Sequence, residues 1–556
     1  MTEATNYITV TYDNDQNVQV PVGSSLAEIC TCIPRRYPRP LAAEVNNVLH
    51  EMDYKLFSDS TIIWRDYTTA AGFRIYSRSV TFLLMAACKR LYPDCDIDVC
   101  HLLENGVFCR LIGNRPFERS MIFSLQEEMK KMVKEDLPIN CQVVTKEDAV
   151  AFFQSQGKEA KASLISCRKR ETLRLYTLEG ITEYFFGRMA RWTGVLTQFA
   201  LSPFSDGFVV ALPVLKEMGP MAGKFDEDRN LAAALKEYRL FREAIGVETF
   251  GKLNKIINAG GLRELGLIDE ARQERALHYI SDMIAKDFPK VRVVMIAGPS
   301  SSGKTTFTKR LCIQFRLLGL QPVSISLDDY FIDREHTPLD EQGNRNYENI
   351  EALDIDLFSR HLNGLLKKEQ VCIPRYNFLT GKRDEQGFIC SLDDDKIIVI
   401  EGIHALNKSL TEQIPQDCIR YIYVSALSQM KLDRYSVVSS SDIRLMRRII
   451  RDSQFRGQSA ENTLLLWQAV RRGETQNIFP YQGNADFYFD SALVYEISVI
   501  KQIIEPLLSE ITTDSPAYLE ARRLQNLLQY VCAASSDDVL TNSILQEFLG
   551  HSFFSY

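Results

Sequence analysis

The sequence predicts a multidomain α/β chain that ends in a parallel β-sheet with helices on both faces. Three observations carry this expectation. At 556 residues the chain exceeds what one hydrophobic core holds, so several folding units are required. Continuous apolar runs at 291–297, 322–327, 396–400 and 420–424 alternate with helical segments, and strands of a parallel sheet covered on both faces read as such runs. Ahead of residue 290 the pattern differs, passing from strand-like alternation to amphipathic helix and then to a long stretch rich in Leu, Ala, Glu and Lys.

In chain order, residues 7–12 alternate, 13–16 carry turn chemistry and 18–22 alternate again before Gly23, which gives a small β-rich unit over 7–65. Residues 78–91 turn helical, with Phe82, Met85 and Ala86 on an apolar face and Lys89 and Arg90 on its edge. A second α+β unit runs to about 212. Residues 213–288 read as a helical connector broken at Gly260-Gly261 and at Gly266. The pattern then changes sharply to an apolar run, a glycine-rich turn and a helix over about 304–318. The expected units are 1–67, 68–212, 213–288, 289–512 and a helical extension over 513–556, with no repeats and no low-complexity tract.

Hydrophobic residues make up 45% and charged residues 25% of the chain, the balance of an ordinary folded protein. A formal net charge of −7 offers no global attraction to nucleic-acid phosphates, so bulk RNA or DNA binding is not expected. Thirteen cysteines without a repeating spacing, and a start without a basic-then-apolar leader, fit free thiols in the cytoplasm. No apolar run approaches the roughly 18 residues of a spanning helix, so no membrane partner is expected.

The segment Gly298-Pro-Ser-Ser-Ser-Gly-Lys-Thr305 fits the P-loop pattern and lies between an apolar strand and a helix, the context such a match requires. A plain glycine turn would account for two glycines but not for Lys-Thr in register. Gly298 and Gly303 let backbone N–H groups converge on phosphate, with Ser300, Ser301, Ser302 and Thr306 completing the cradle for ATP. Lys304 is expected to reach the β- and γ-phosphates, and Thr305 to offer its hydroxyl to Mg²⁺. Asp328 and Asp329 follow one apolar run and Glu401 another, which puts them at strand carboxyl ends where ligands bind in open α/β sheets. Asp328 is the candidate base and Glu401 an acid on the metal side, while helix capping or a solvated strand end weighs more for Asp329 than for either of them. The stretch Asp442-Ile-Arg-Leu-Met-Arg-Arg-Ile-Ile-Arg-Asp-Ser-Gln-Phe-Arg-Gly457 reads as a lid helix whose Arg448, Arg451 and Arg456 neutralise charge on the moving phosphoryl group.

These residues resemble the uridine kinase family and its phosphoribulokinase relatives over about 290–510. Besides the P-loop, the chain carries Ser326-Leu-Asp-Asp-Tyr-Phe331, Asn346-Tyr-Glu-Asn-Ile-Glu-Ala-Leu-Asp354, Ile373-Pro-Arg-Tyr-Asn-Phe378, Ile400-Glu-Gly-Ile-His404 and the arginine helix, in family order. The resemblance implies that Asp328 is the catalytic acid, Glu401 the metal-side acid, Glu348 the holder of the ribose hydroxyls, Tyr376 and Phe378 part of the nucleoside pocket, and Arg448, Arg451 and Arg456 lid arginines. It breaks where the family reads the pyrimidine. A Thr-His pair becomes Thr380-Gly381, and a base-reading Gln falls on the apolar run 464–466. Loss of two buried polar contacts relaxes or changes the choice of base.

Residues 5–212 resemble the amino-terminal region of threonyl-tRNA synthetases, a β-grasp-like TGS domain followed by an α+β editing-type domain. Ala86-Ala-Cys-Lys-Arg-Leu-Tyr-Pro93, Leu103-Glu-Asn-Gly106 and Val143-Val-Thr-Lys-Glu-Asp-Ala149 carry the likeness. The family's four metal-type positions hold Arg78, Phe82, Phe185 and Met189 here, so neither metal binding nor editing hydrolysis carries over. The combined expectation is an ATP- and Mg²⁺-dependent nucleoside kinase, uridine or cytidine first. Its alternatives are a kinase of another small alcohol or sugar, and a nucleotide-sensing regulator that docks on tRNA or ribosome through its front half. A homo-oligomer is compatible with either.

Overall fold

The computed structural model describes residues 6–13, 15–34, 38–103, 106–213, 229–339, 343, 345–377, 380–384, 386–427 and 429–555. Strands Tyr7–Tyr12, Gln16–Pro21, Ala42–Val45, Val48–Glu51 and Ser60–Arg65 form one sheet in which the first and last pair in parallel. The alternation read in the sequence turns Ile8, Val10 and Tyr12 inward, where Leu26 and Ile29 of helix Leu26–Cys32 pack in the same core. Ser25 and Glu28 start that helix as a reciprocal cap, with N–H to oxygen distances of 3.3 and 2.7 Å. The result is the β-grasp arrangement expected of the amino-terminal unit.

The next helix spans Ala70–Leu91, eight residues longer at its start than its apolar periodicity predicts. Thr69 caps it by accepting the Gly72 N–H at 3.2 Å, and a Cβ on Gly72 would lie 1.9 Å from the Asp66 carbonyl oxygen. This helix and helix Arg119–Glu135 share a core with a four-stranded antiparallel sheet built from Cys95–Leu103, Gly106–Gly113, Ala200–Phe204 and Gly207–Ala211. A three-stranded sheet of Asn140–Thr145, Thr172–Leu178 and Ile181–Glu183 adjoins it. The connector contains helices Arg229–Ala244, Phe250–Asn258 and Leu262–Lys286, while residues 214–228 lie outside the described residues. Gly260, with φ +79°, ends a helix as predicted. The predicted break at Gly266 is corrected: it lies inside Leu262–Lys286, where its bare backbone faces the Tyr495 ring.

The carboxy-terminal sheet runs in the order Gln321–Ser326, Lys396–Glu401, Val293–Ala297, Ile419–Ser425, Phe487–Asp490, and every pairing is parallel. Val293, Met295, Ile398 and Ile400 face one core and Val294, Ile296, Ile397 and Val399 the other, which is why the strands read as unbroken apolar runs. Ser326 pairs with Glu401 and Glu401 with Ile296, so three strands finish level beside Gly298. The segment leaving strand Ile419–Ser425 docks on the editing-type unit through Lys431–Asp98 at 2.6 Å, Arg434–Asp96 at 2.8 Å and Asp433–Lys161 at 2.8 Å. Among the described residues no helix is long and apolar enough to cross a membrane.

Candidate active site

The loop after Val293–Ala297 has no room for side chains at its first glycine: a Cβ on Gly298 would lie 1.9 Å from the Val424 carbonyl oxygen. Ser301 and Gly303 take φ of +57° and +86°, turning the backbone into helix Lys304–Leu317. The Ser301 and Ser302 hydroxyls are buried and have no hydrogen-bond partner. Buried hydroxyls left over beside a helix N-terminus fit a phosphate chain, so ATP suits the loop. Lys304 lies alongside, its Nζ donating to the Pro299 carbonyl at 3.2 Å.

Thr305 Oγ1 is 3.4 Å from Glu401 Oε1, across from the end of the neighbouring strand. A hydroxyl beside a carboxylate is a hard-oxygen set that suits Mg²⁺. Burial pushes the Glu401 carboxyl up to about 7, against the pull of Lys304. Asp328 stands in the short turn Leu327–Tyr330 after Gln321–Ser326. Burial raises its carboxyl too, with the charges of Lys304, Arg456 and Arg451 opposing. Asp329 differs: its Oδ1 accepts the Tyr376 backbone N–H at 3.2 Å, so it ties two segments together.

Helix Ser440–Phe455 presents two rows of arginine. Arg444 and Arg447 are fully buried, paired with Glu474 and Glu496. This inner face makes the helix a part of the core, which the expectation of a covering lid did not include. The other row faces the loop. Arg448 Nη1 donates to Ser300 Oγ at 2.9 Å, and buried Asp452 gathers Arg448 at 3.2 Å, Arg451 at 2.8 Å and Arg456 at 3.7 Å. Glu474 accepts the Ser300 N–H at 3.1 Å while Arg444 donates to the Ser300 carbonyl at 3.1 Å, so one buried pair grips the P-loop backbone from both sides. Burial works to raise the Glu474 carboxyl, but Arg444 and Arg471 outweigh it and hold it low.

Glu348 packs on Gly473, where a Cβ would lie 2.3 Å from its own Cβ. Its Oε2 is buried without a hydrogen-bond partner, and burial together with the Glu474 charge pushes it up to about 7. The opposing charges are Arg448, Lys304 among them, which puts Glu348 on the same cleft. Tyr376 is buried with its ring 5.6 Å from Phe331, itself 6.0 Å from Tyr347. Phe378 lies outside the described residues. Along the run 464–466, where the family resemblance loses its base-reading Gln, Leu464 is buried while Leu465 and Leu466 are 49% and 44% exposed on helix Ala460–Asn477.

Sequence reasoning missed Asp452, Glu474 and Glu547. Asp452 had a local signal, four residues from both Arg448 and Arg456. Glu474 had one in Arg471, three residues before it, but its partners Ser300 and Arg444, like Thr306 for Glu547, are remote in sequence.

The model of the Phosphoribulokinase / Uridine kinase family matches residues 293–498. A uridine kinase of Bacillus licheniformis is 30% identical over 195 residues, which cover 35% of this chain and 83% of that protein. The chain belongs to the phosphoribulokinase and uridine kinase family. A solved structure described as a possible uridine kinase from Bacillus stearothermophilus aligns with 40% of this family member and all of its own length, at 19% identity and a TM-score of 0.28. Outside the kinase-family region, a threonine–tRNA ligase of Burkholderia orbicola is 31% identical over 166 residues, 28% of this chain. The chain spans about a quarter of the length of such ligases, 26% in this case. In the ligase-like region the four altered positions are packed: Phe82, Phe185 and Met189 are buried, the two rings 5.0 Å apart, and Arg78 donates to the Arg188 carbonyl at 2.9 Å.

Proposed function

We propose that the chain transfers the γ-phosphoryl group of ATP to the 5′-hydroxyl of a nucleoside, with uridine or cytidine first among acceptors. The observation that carries this reading is the convergence of Asp328 and Glu401, from the ends of two parallel strands, on Lys304 of the P-loop. A site that only sensed nucleotide would have no use for an acceptor-side base.

When bound, Mg²⁺ supplies charge neutralisation between the phosphates, and Thr305 and Glu401 are the residues that would hold it. Asp328 takes the proton of the acceptor hydroxyl as its oxygen bonds to the γ-phosphorus and the bond to the bridging oxygen breaks, releasing ADP. Burial makes Asp328 a stronger base than an exposed carboxylate. Lys304, Arg448, Arg451 and Arg456 stabilise the spreading charge, and the Arg444–Glu474 pair keeps the loop in place. Glu348 is assigned to the ribose hydroxyls, and Tyr376 with Phe378 to the pocket wall.

A second reading, another small alcohol or sugar as acceptor, is favoured by Thr380-Gly381 and by the apolar run 464–466 where pyrimidine-reading groups are expected. A panel of nucleosides and sugar alcohols, assayed for substrate-dependent ADP release, tests both. Release with a nucleoside, lost in Lys304→Ala, is expected. Release with none of the panel, or turnover undiminished by Lys304→Ala, refutes the assignment.

A further inference from the structure

The nucleotide end of the cleft is engaged by the chain's own carboxy terminus. On the short helix Gln546–Leu549, Glu547 Oε2 accepts the Thr306 hydroxyl at 2.6 Å and the Thr306 N–H at 3.3 Å. Those two donors sit in the first turn of the P-loop helix, where the N–H groups have no partner within the helix and serve phosphate in a nucleotide complex. Contacts on either side brace the carboxylate. Ile544 is fully buried with its Cγ2 2.6 Å from where a Cβ on Gly303 would be, so it lies against the glycine at which the loop becomes helix. Phe548 is fully buried with its ring 5.1 Å from the Arg447 guanidinium. Further on, Lys309 donates to the Ser555 carbonyl at 2.6 Å.

We propose that this carboxy-terminal segment is a built-in competitor of nucleotide, in which the Glu547 carboxylate stands on phosphate donors of the P-loop and must leave for ATP or ADP to bind. The inference rests on reading the loop as the nucleotide site. A carboxylate and a phosphate cannot share one hydroxyl and one N–H at hydrogen-bond distance without two anions in contact, so one excludes the other. The apparent affinity for nucleotide is then lowered by the fraction of molecules in which the segment is docked. Ile544 and Phe548 lie in the same core cluster as the inner rows of the sheet, which gives the docked state its stability.

The test is ADP affinity by calorimetry on the full chain in excess EDTA, so that metal ligation plays no part. Glu547→Gln keeps the shape and removes the charge, and a charge-assisted hydrogen bond exchanged for a neutral one predicts about tenfold tighter ADP binding. Ile544→Ala, which loosens the seat on Gly303 without touching the carboxylate, is expected to tighten it as well. Equal or weaker binding by Glu547→Gln overturns the proposal, weaker binding meaning that the carboxylate assists nucleotide. Lys304→Ala separates this failure from failure of the site itself. ADP binding that Lys304→Ala leaves unchanged, or no binding by the parent and both tail variants, would mean that the loop is not the nucleotide site and would remove both readings.

Discussion

Replacing Asp452 by Asn keeps its size and removes the charge that gathers three arginines. The Asp452 side chain is 2% exposed and meets Arg451 at 2.8 Å, Arg448 at 3.2 Å and Arg456 at 3.7 Å. Removing one partner of a fully buried pair costs about 3–5 kcal/mol, because the other charge is left without water. Here the arginines are 15%, 16% and 54% exposed and can turn towards solvent, so the expected loss of stability is smaller, about 1–2 kcal/mol. The catalytic loss is larger in relative terms. Misplacing charges aimed at the transferring group lowers kcat by roughly a hundredfold. With ADP release as the assay, kcat is expected to fall while KM for ATP changes little, and the thermal midpoint to drop by a few degrees. A variant with the lower midpoint but parental kcat would show that Asp452 only braces the helix, and would refute its role in setting the arginines.

Asp328→Asn is expected to lower kcat by about a hundredfold or more with little change in ATP affinity, the loss typical of a general base. A larger loss from Asp329→Asn, whose carboxylate is engaged by the Tyr376 N–H, would reassign the base. Glu401 and Glu348 are each pushed up to about 7 by burial from an ordinary 4.5, so their contribution to stability is complete below about 4.5 and is lost as the pH rises through about 7. In metal-free, nucleotide-free protein Glu401→Gln should therefore raise the thermal midpoint at pH 8 by a few degrees, on the order of 2 kcal/mol after allowance for partial exposure, and leave it nearly unchanged at pH 4. An equal effect at both pH values would contradict that sign. Untagged protein is expected to hold no stoichiometric zinc in the ligase-like unit, since Arg78 stays protonated, Phe82 and Phe185 carry no donor atom and Met189 offers only a thioether. Among the described residues the grouping of three metal-type side chains is Asp333, Glu335 and His336, far along the chain from that unit. Elemental analysis with a deacylation assay on mischarged threonyl-tRNA decides it, and one equivalent of zinc lost on mutating Cys95 or His101 would overturn the expectation.

Much of the kinase-family half was legible because its information is local. A strand buried on both faces must be an unbroken apolar run, and a loop that wraps phosphate must be glycine-rich and open a helix, so 293–305 announces itself. Asp328 and Glu401 were legible by the same rule, as acids at the ends of such runs. The long helix Ala70–Leu91 was only half visible, since its first turn of Ala, Ala and Gly has no apolar stripe and its start is set by the Thr69 cap. Gly266 misled in the opposite direction. Glycine lowers helix propensity by about 1 kcal/mol, but a helix of 25 residues packed along a core absorbs that.

By itself, then, the sequence determined the apolar strands of the parallel sheet, the P-loop and the single family motifs of the carboxy-terminal half. Each is a property of residues within one segment, where spacing along the chain is spacing in space. Tertiary structure alone decided which arginines of helix Ser440–Phe455 are core and which face the loop, that Glu474 grips Ser300 across 174 positions, and that Glu547 reaches Thr306 across 241. The physical reason is that a carboxylate turned away from water takes whichever donor packing brings within hydrogen-bond distance, and separation along the sequence carries no signal of that partner.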